Sequence, residues 1–69
     1  MSQNQTQVGG SHYQRFTIEP IDVIEDWDLN YHEGNVIKYI MRHKVKGGKE
    51  DIQKAVWYLQ RLLTNEYGE

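Results

Sequence analysis

The most regular pattern in the sequence is an apolar stripe that runs from residue 52 to residue 63. Its members recur at spacings of three and four positions, which is the period of one helix face. They are Ile52, Ala55, Val56, Leu59, Leu62 and Leu63. Glu50 and Asp51 precede the stripe, and acidic side chains stabilise a helix N-terminus. The pattern predicts a long third helix that opens at Lys49.

A second helical pattern comes before this one. Asn30 can accept the N–H three positions on while Glu33 reaches back, which is a capping-box arrangement at a helix start. The predicted buried side of this helix consists of Val36, Ile37, Ile40 and Met41, with Tyr39 partly inside. The helix is expected to end near Val45, with a turn over residues 46–49 around two glycines. The two helices are predicted to fold back on each other as an antiparallel hairpin.

The N-terminal part predicts a tail, an arm and a short helix. Residues 1–11 are polar and are expected to be a disordered tail. Residues 12–18 alternate weakly and suit a short extended arm laid over the helices. Pro20 favours a helix start, because its fixed φ suits the first turn. That helix is predicted over residues 20 to about 27, with an apolar side formed by Ile21, Val23, Ile24 and Trp27.

The predicted fold class is therefore all-α, with one small domain over residues 12–66. The chain has 69 residues and no cysteine, so neither a disulfide nor a Cys-based zinc site can hold it together. A core of this size seldom supplies more than about 3–5 kcal/mol. We therefore expect a homo-oligomer. Trp57 lies off the apolar stripe, and an exposed Trp on so small a domain indicates an interface.

Charge and hydropathy exclude two kinds of partner. No apolar run approaches the roughly 20 residues that span a bilayer, so no membrane partner is expected. The net charge of −2 argues against duplex nucleic acid, which needs a basic face across many phosphates. The expected location is the cytoplasm.

Basic residues are concentrated around the glycine turn. Five of the eight Lys and Arg residues fall within twelve positions that contain His43 and no acidic side chain. They are Lys38, Arg42, Lys44, Lys46 and Lys49. Cations in a last helical turn suit the helix dipole, which explains part of the cluster. The cluster also favours binding of a small phosphorylated ligand. A Walker-type phosphate loop is excluded, because its glycine pattern and preceding strand are both missing.

Two polar lines at helical spacing form the candidate recognition surface. Asn35, Lys38 and Arg42 share one stripe, where Arg offers a planar fork for phosphate and Lys a point charge. The other line consists of Asp51, Lys54, Tyr58 and Arg61. Antiparallel packing would bring the start of the second line close to Arg42 and Lys46. Gly34 has two explanations, close packing against another helix or room for a ligand near the backbone.

A protein-bound metal site is not predicted. The three histidines have no partner four positions away and no cysteine to join them. Six acidic residues between positions 19 and 33, with no Lys or Arg among them, form either a solvated face or a surface that meets the basic turn. Mg²⁺ is possible together with a nucleotide, because this ion takes one or two carboxylates plus substrate phosphates.

Several motifs together resemble a known family. They are His12-Tyr13, IEPIDVI at residues 18–24, EGNVIKYI at 33–40, Arg42, Lys46-Gly47 and DIQKAVWYL at 51–59. They resemble the small bacteriophage SaV-like, nucleotide kinase-like family over about residues 12–63. That family is similar to part of a T-odd coliphage nucleotide kinase, which phosphorylates deoxynucleoside monophosphates without a Walker motif and forms oligomers. The resemblance implies nucleotide binding in the cytoplasm of an infected host cell.

The resemblance also implies a set of ligand-binding positions, without assigning a catalytic role to any of them. They are His12, Tyr13, Glu33, Asn35, Lys38, Tyr39, Arg42, Lys46, Asp51 and Lys54. Three functions follow as hypotheses: a nucleotide kinase, a non-catalytic nucleotide-binding sponge, and an adaptor that binds a host protein. A kinase needs two nucleotide sites and Mg²⁺, a sponge needs one site, and an adaptor needs no nucleotide.

Overall fold

The computed structural model describes residues 17–69, and this part of the chain is helical without strands. It contains three helices, α1 (Pro20–Asp26), α2 (Tyr31–Arg42) and α3 (Gly48–Tyr67). The all-α prediction is confirmed for this range. The predicted tail, and all of the predicted arm but its last two residues, lie outside the described residues. None of the three helices is both long and apolar enough to cross a membrane.

Local sequence explains where α1 and α2 begin. Pro20 occupies the first position of α1, and the Asp22 carboxylate accepts the Glu19 backbone N–H at 2.9 Å. The predicted capping box of α2 is confirmed. The Asn30 side chain accepts the Glu33 N–H at 2.9 Å, and the Glu33 carboxylate accepts the Asn30 N–H at the same distance. These bonds satisfy N–H groups that have no partner within the helix.

The turn between α2 and α3 begins earlier than the sequence predicts. α2 ends at Arg42 rather than near Val45, and residues 43–47 form the turn. The carbonyl of Arg42 accepts N–H bonds from both Val45 and Lys46 at 3.0 Å, which closes the turn immediately after the helix. Gly48 has a φ of +55°, a conformation that favours glycine, and it starts α3 one residue before the predicted Lys49.

The second helix packs against both of its neighbours. Contacts join the end of α2 to the start of α3 through Arg42 and Asp51, and the start of α2 to the end of α3 through Asn30 and Glu66. On the α1 side, a Cβ on Gly34 would lie 3.3 Å from the Ile24 side chain. Close helix packing therefore accounts for Gly34.

Burial departs from the apolar pattern of the sequence. Within residues 17–69 the buried apolar side chains are Pro20 and Ala55, whereas Asn35 and Asp51 are buried polar residues. The predicted buried side of α2 is wrong, because Ile40 is 45% exposed and its apolar neighbours Val36, Ile37 and Met41 are half-buried. The physical reason is that α3 packs on the side of α2 that carries Asn35, Tyr39 and Arg42.

The same departure holds for the other two helices. The third-helix stripe is only partly buried, since Val56, Leu59 and Leu63 are exposed. The predicted apolar side of α1 is also partly wrong, because Ile21 and Trp27 are exposed while Val23 and Ile24 are half-buried. Ile24 is half-buried because its side chain packs against Gly34 of α2.

Candidate functional site

A buried carboxylate joins the end of α2 to the start of α3. Asp51 is 1% exposed, and its Oδ2 accepts hydrogen bonds from Arg42 Nε at 3.1 Å and from the Gly47 backbone N–H at 2.9 Å. A Cβ on Gly47 would overlap this carboxylate, so the first glycine of the turn makes room for Asp51. The ion pair confirms the predicted proximity of Arg42 to the start of the second polar line.

Opposing effects act on the pKa of Asp51. Burial raises the pKa, because it disfavours the charged form. The hydrogen bond and the charge of Arg42, the Gly47 N–H and the charge of Lys54 lower it. The lowering effects prevail, so the pKa of Asp51 lies below its ordinary value and the side chain is a carboxylate at neutral pH.

The second oxygen of this carboxylate is unsatisfied. Asp51 Oδ1 is buried and accepts no hydrogen bond in the structure. An unmade hydrogen bond on a buried acceptor costs about 1–3 kcal/mol, and more on a charged one. The hydrogen bonds from Arg42 and Gly47 to Oδ2 therefore have to offset this cost. For this reason the Arg42–Asp51 pair fixes the position of α2 against α3 more than it adds net stability, and we call it the anchor.

Three cations surround one aromatic ring next to this anchor. Lys38 Nζ lies 4.6 Å from the centre of the Tyr39 ring, Arg42 Cζ lies 5.2 Å away, and Lys54 Nζ lies 5.4 Å away. The Tyr58 ring stacks on Tyr39, with centroids 6.1 Å apart and an interplanar angle of 20°. Cations within about 6 Å of a ring centre are attracted by its electron-rich face. We call this group of five residues the cationic–aromatic cluster.

Tyr58 links the cluster to further aromatic side chains. Its ring lies 6.0 Å from those of Tyr31 and His32, and 4.9 Å from that of Trp57. A hydrogen bond with Tyr31 raises the pKa of Tyr58, and burial and the neighbouring tyrosines raise it further. The Tyr58 hydroxyl therefore stays protonated at neutral pH and can take part in hydrogen bonds.

The charges of the cluster do not cancel. It contains three cations, and one of them forms an ion pair with Asp51. Two positive charges are therefore left in excess within a few ångströms of one ring. Lys38, Tyr39, Lys54 and Tyr58 are all half-buried, so each retains some accessible surface. Such a group can bind an anion and can stack a planar ring.

An open cleft of about 280 Å³ adjoins the cluster between α1 and α2. Its lining is mainly apolar and includes Ile24, Leu29 and Tyr31, with Asn35 and Lys38 as polar members. Lys38 contributes both to this cleft and to the Tyr39 ring contact, so the two features are continuous.

The structure brings together five of the ten positions implied by the family resemblance. They are Lys38, Tyr39, Arg42, Asp51 and Lys54. Asn35 is buried with its Nδ2 donating to the Tyr31 carbonyl at 2.8 Å, although it still lines the cleft. It does not belong to an exposed recognition stripe, because only 8% of its surface is accessible.

The other positions lie elsewhere. Glu33 serves in the capping box of α2, and Lys46 is an exposed residue of the turn. His12 and Tyr13 lie outside the described residues. Tyr58 is a cluster member that the implied positions lack. In the sequence, Tyr58 lies four positions after Lys54 on the second polar line, which could have indicated that it belongs to the site. Nothing in the sequence shows that Tyr39 stacks on Tyr58.

Metal ligands do not cluster in this region. Within residues 17–69, no group of three His, Asp or Glu side chains is placed to hold a metal ion. Asp51 forms an ion pair with Arg42, and Arg42 and Gly47 already occupy one of its oxygens.

Comparison with known proteins identifies a family. The model of the family described as a protein of unknown function (DUF3310) matches residues 7–60, which is more than half of the chain. No curated protein and no solved structure matches the chain. The matched range contains α1, α2, the turn and the first part of α3, and with them the whole cationic–aromatic cluster. The chain belongs to the DUF3310 family.

Proposed function

We propose that this protein binds a nucleotide at the cationic–aromatic cluster. The observation that carries the proposal is the convergence of Lys38, Arg42 and Lys54 on the Tyr39 ring, with a single carboxylate to balance them. Three cations this close repel one another, and a bound phosphate relieves that repulsion. The ligand therefore contributes the negative charge that the cluster lacks.

The aromatic members favour a nucleotide over inorganic phosphate. Tyr39 and Tyr58 are only half-buried, so a base can stack on accessible ring surface there, and such stacking is worth about 1–3 kcal/mol per base. The adjoining apolar cleft between α1 and α2 offers further surface for a base or sugar. Asp51 fixes the position of the Arg42 guanidinium, and a guanidinium is a group that suits recognition of phosphate oxygens.

The family resemblance suggests a deoxynucleoside monophosphate as the ligand and phosphoryl transfer as a candidate reaction. This chemistry depends mainly on positioning and charge stabilisation, which Lys38, Arg42 and Lys54 can supply. Mg²⁺ would then be bound largely by the nucleotide phosphates, since no group of three metal-ligating side chains occurs within residues 17–69. By the same resemblance, we assign the protein to bacteriophages and to the cytoplasm of the infected host.

The finer architecture we propose is an antiparallel α2–α3 hairpin that self-associates. Contacts at both ends of the helix pair support the antiparallel arrangement. In this arrangement the cluster forms from both helices of one chain, so each copy carries its own binding site.

Isothermal titration of the full chain with deoxynucleoside mono- and triphosphates and cyclic nucleotides, with and without Mg²⁺, tests the proposal. We expect saturable binding of at least one nucleotide. Tyr39→Leu and Lys54→Gln are each expected to weaken it by about tenfold, or 1.4 kcal/mol. Lys44→Gln removes the same charge from an exposed position outside the cluster and is the matched control. It is expected to leave binding unchanged.

Product analysis of each bound nucleotide distinguishes the candidate functions. Conversion of a monophosphate to a diphosphate in the presence of a triphosphate and Mg²⁺ supports a kinase. Binding that returns the nucleotide intact supports a sponge. Absence of binding by a folded protein, or equal weakening by Lys44→Gln and Lys54→Gln, overturns nucleotide binding at the cluster. In that case the adaptor hypothesis takes precedence.

A further inference from the structure

Aromatic rings form a continuous row that extends beyond the cationic–aromatic cluster. The ring centres of Tyr39 and Tyr58 lie 6.1 Å apart, and the Trp57 ring centre lies 4.9 Å from that of Tyr58. Trp57 is 55% exposed, although tryptophan is highly buried on average. The proposed nucleotide site lies at the Tyr39 end of this row, so the Trp57 end is left without a function.

A fourth cation lies at the Trp57 end of the row. Arg61 Cζ lies 5.3 Å from the centre of the Trp57 ring, and the Arg61 side chain is exposed. Lys54, Trp57, Tyr58 and Arg61 fall within about 100° of the circumference of α3, so they share one face of the helix. Cations therefore lie at both ends of the aromatic row. We call the cluster together with Trp57 and Arg61 the extended platform.

Aromatic rings next to cations are the combination with which proteins bind single-stranded nucleic acid. Successive bases stack on the rings, while Lys and Arg contact the phosphates. The rings of this row are 4.9 Å and 6.1 Å apart, whereas the nucleotides of one strand in a duplex advance by about 3.4 Å each. The Trp57 ring is also turned by 86° from the Tyr58 ring. Bases on Tyr39 and Trp57 would therefore have to separate and turn, which a single strand allows and a duplex does not.

The N-terminal part of the chain cannot balance the charge of this surface. Asp51 pairs with one of the four cations, which leaves an excess of positive charge. Residues 1–16 contain one Arg and no Asp or Glu, so they cannot neutralise that excess. A nucleic acid strand carries one negative charge per nucleotide. It therefore supplies negative charge along the whole platform, whereas a mononucleotide supplies it at one end.

We propose that the extended platform binds a single strand of nucleic acid, two or more nucleotides long. One nucleotide occupies the cationic–aromatic cluster, so the inference rests on the proposed function and extends it to a longer ligand. The next base stacks on the accessible surface of Trp57, and Arg61 contacts the phosphate that joins the two nucleotides. Trp57 and Arg61 are not needed for the first nucleotide, so their contribution can be measured separately.

The chain has two tryptophans, which allows each to be observed alone. Trp27→Phe in the full chain leaves Trp57 as the fluorescent residue, and Trp57→Phe leaves Trp27, which is 73% exposed at the end of α1. Each variant is titrated with a deoxyadenylate mononucleotide and with deoxyadenylate and riboadenylate hexanucleotides. We expect at least one hexanucleotide to quench Trp57 saturably, because a base stacks on the indole, and the mononucleotide to quench it little. Trp27 is the control and is expected to keep its emission.

Polarisation of the dye-labelled hexanucleotide measures the affinity. Trp57→Leu is expected to weaken hexanucleotide binding by about tenfold through the lost stacking. Arg61→Gln is expected to weaken it by a smaller factor and to reduce its dependence on salt, because one phosphate contact is lost. Both variants should bind the mononucleotide as the unmodified chain does. Trp27→Leu and Lys44→Gln make the same kinds of change at exposed positions outside the platform and are the matched controls.

The outcomes separate this inference from the proposed function. Hexanucleotides that bind no more tightly than the mononucleotide overturn the inference and leave nucleotide binding at the cluster intact. Absence of binding by both kinds of ligand overturns both. Equal weakening by Trp57→Leu and Trp27→Leu also overturns the inference, as does tighter binding of the same sequence paired within a hairpin. Trp57 emission that changes with protein concentration but not with hexanucleotide would instead assign this surface to a second copy of the chain.

Discussion

The two sides of α3 contrast in what they bury. The side that faces α2 buries Asp51 and Ala55, whereas the outer side exposes Val56 and Leu59. A lone chain would be expected to bury the larger apolar residues first. The difference shows that burial in this chain follows the side to which α2 is anchored, and the Arg42–Asp51 pair is that anchor.

The largest expected effect comes from breaking the anchor. Asp51→Asn removes the negative charge and leaves Arg42 without its carboxylate partner. Removal of one member of a fully buried pair costs about 3–5 kcal/mol, and because the Arg42 side chain is 20% exposed we expect about 2–4 kcal/mol. Urea unfolding at one fixed protein concentration measures the loss.

Glu50→Gln is the matched control for this variant. It makes the same chemical change one position away, at an exposed side chain. We expect a change within about 0.5 kcal/mol. If the two variants lost the same free energy of unfolding, the contrast between the sides of α3 would not depend on the anchor.

Gly47→Ala should have the next largest effect, through the same carboxylate. The new Cβ would overlap Asp51, so the side chain must move and lose the Gly47 N–H bond. A disturbed buried hydrogen bond of this kind costs about 1–3 kcal/mol. Repeating Gly47→Ala in an Asp51→Ala background isolates the cause. There the substitution should cost little, because the carboxylate that it would overlap is gone. An undiminished cost in that background would refute this explanation.

Acid should weaken the anchor without any substitution. The pKa of Asp51 is lowered in the folded chain from an ordinary value of 3.8. Its contribution to stability is therefore fully present above that pH and is lost as the pH falls through the lower folded value. We expect the unfolding free energies of the unmodified chain and of Asp51→Asn to converge below pH 3.8. Curves that stay parallel down to low pH would show that the charge of Asp51 does not stabilise the fold.

The sequence predicts the local features of this fold well. The capping box of Asn30 and Glu33 is confirmed because both of its hydrogen bonds join residues three positions apart. The third helix is confirmed because its period is unbroken over many residues. The end of α2 is misplaced by about three residues, since helical propensity through Val45 is overridden by the turn that closes on the Arg42 carbonyl.

Burial could not be predicted in the same way. Which side of α2 meets α3 depends on long-range contacts, namely the Arg42–Asp51 pair and the stacking of Tyr39 on Tyr58. A hydrophobic pattern alone would have turned Ile40 inward. It also misses Asn35, whose amide is satisfied within its own helix by the Tyr31 carbonyl and so tolerates burial.

The candidate site shares this limitation. Charge density along the sequence marks the basic turn, and it therefore groups Lys46 with Lys38 and Arg42. Lys54 is separated from them in sequence, and it is predicted through the second polar line of α3 and through the family resemblance. The structure places Lys54 on the Tyr39 ring and Lys46 on an exposed part of the turn. Lys46 is therefore close to Lys38 and Arg42 in the sequence but is not part of the cluster, whereas Lys54 is distant in the sequence and belongs to it.

The smallest expected effect tests this division. Lys46→Gln should change the affinity for a bound nucleotide by about twofold or less, because an exposed charge in water interacts weakly and is screened by salt. Lys54→Gln removes the same charge and should cost about tenfold, as argued above. Titration of both variants at two salt concentrations gives the comparison. A loss for Lys46→Gln as large as that for Lys54→Gln would place the ligand over the turn, so that the charge pattern of the sequence would locate the site better than the contacts around Tyr39.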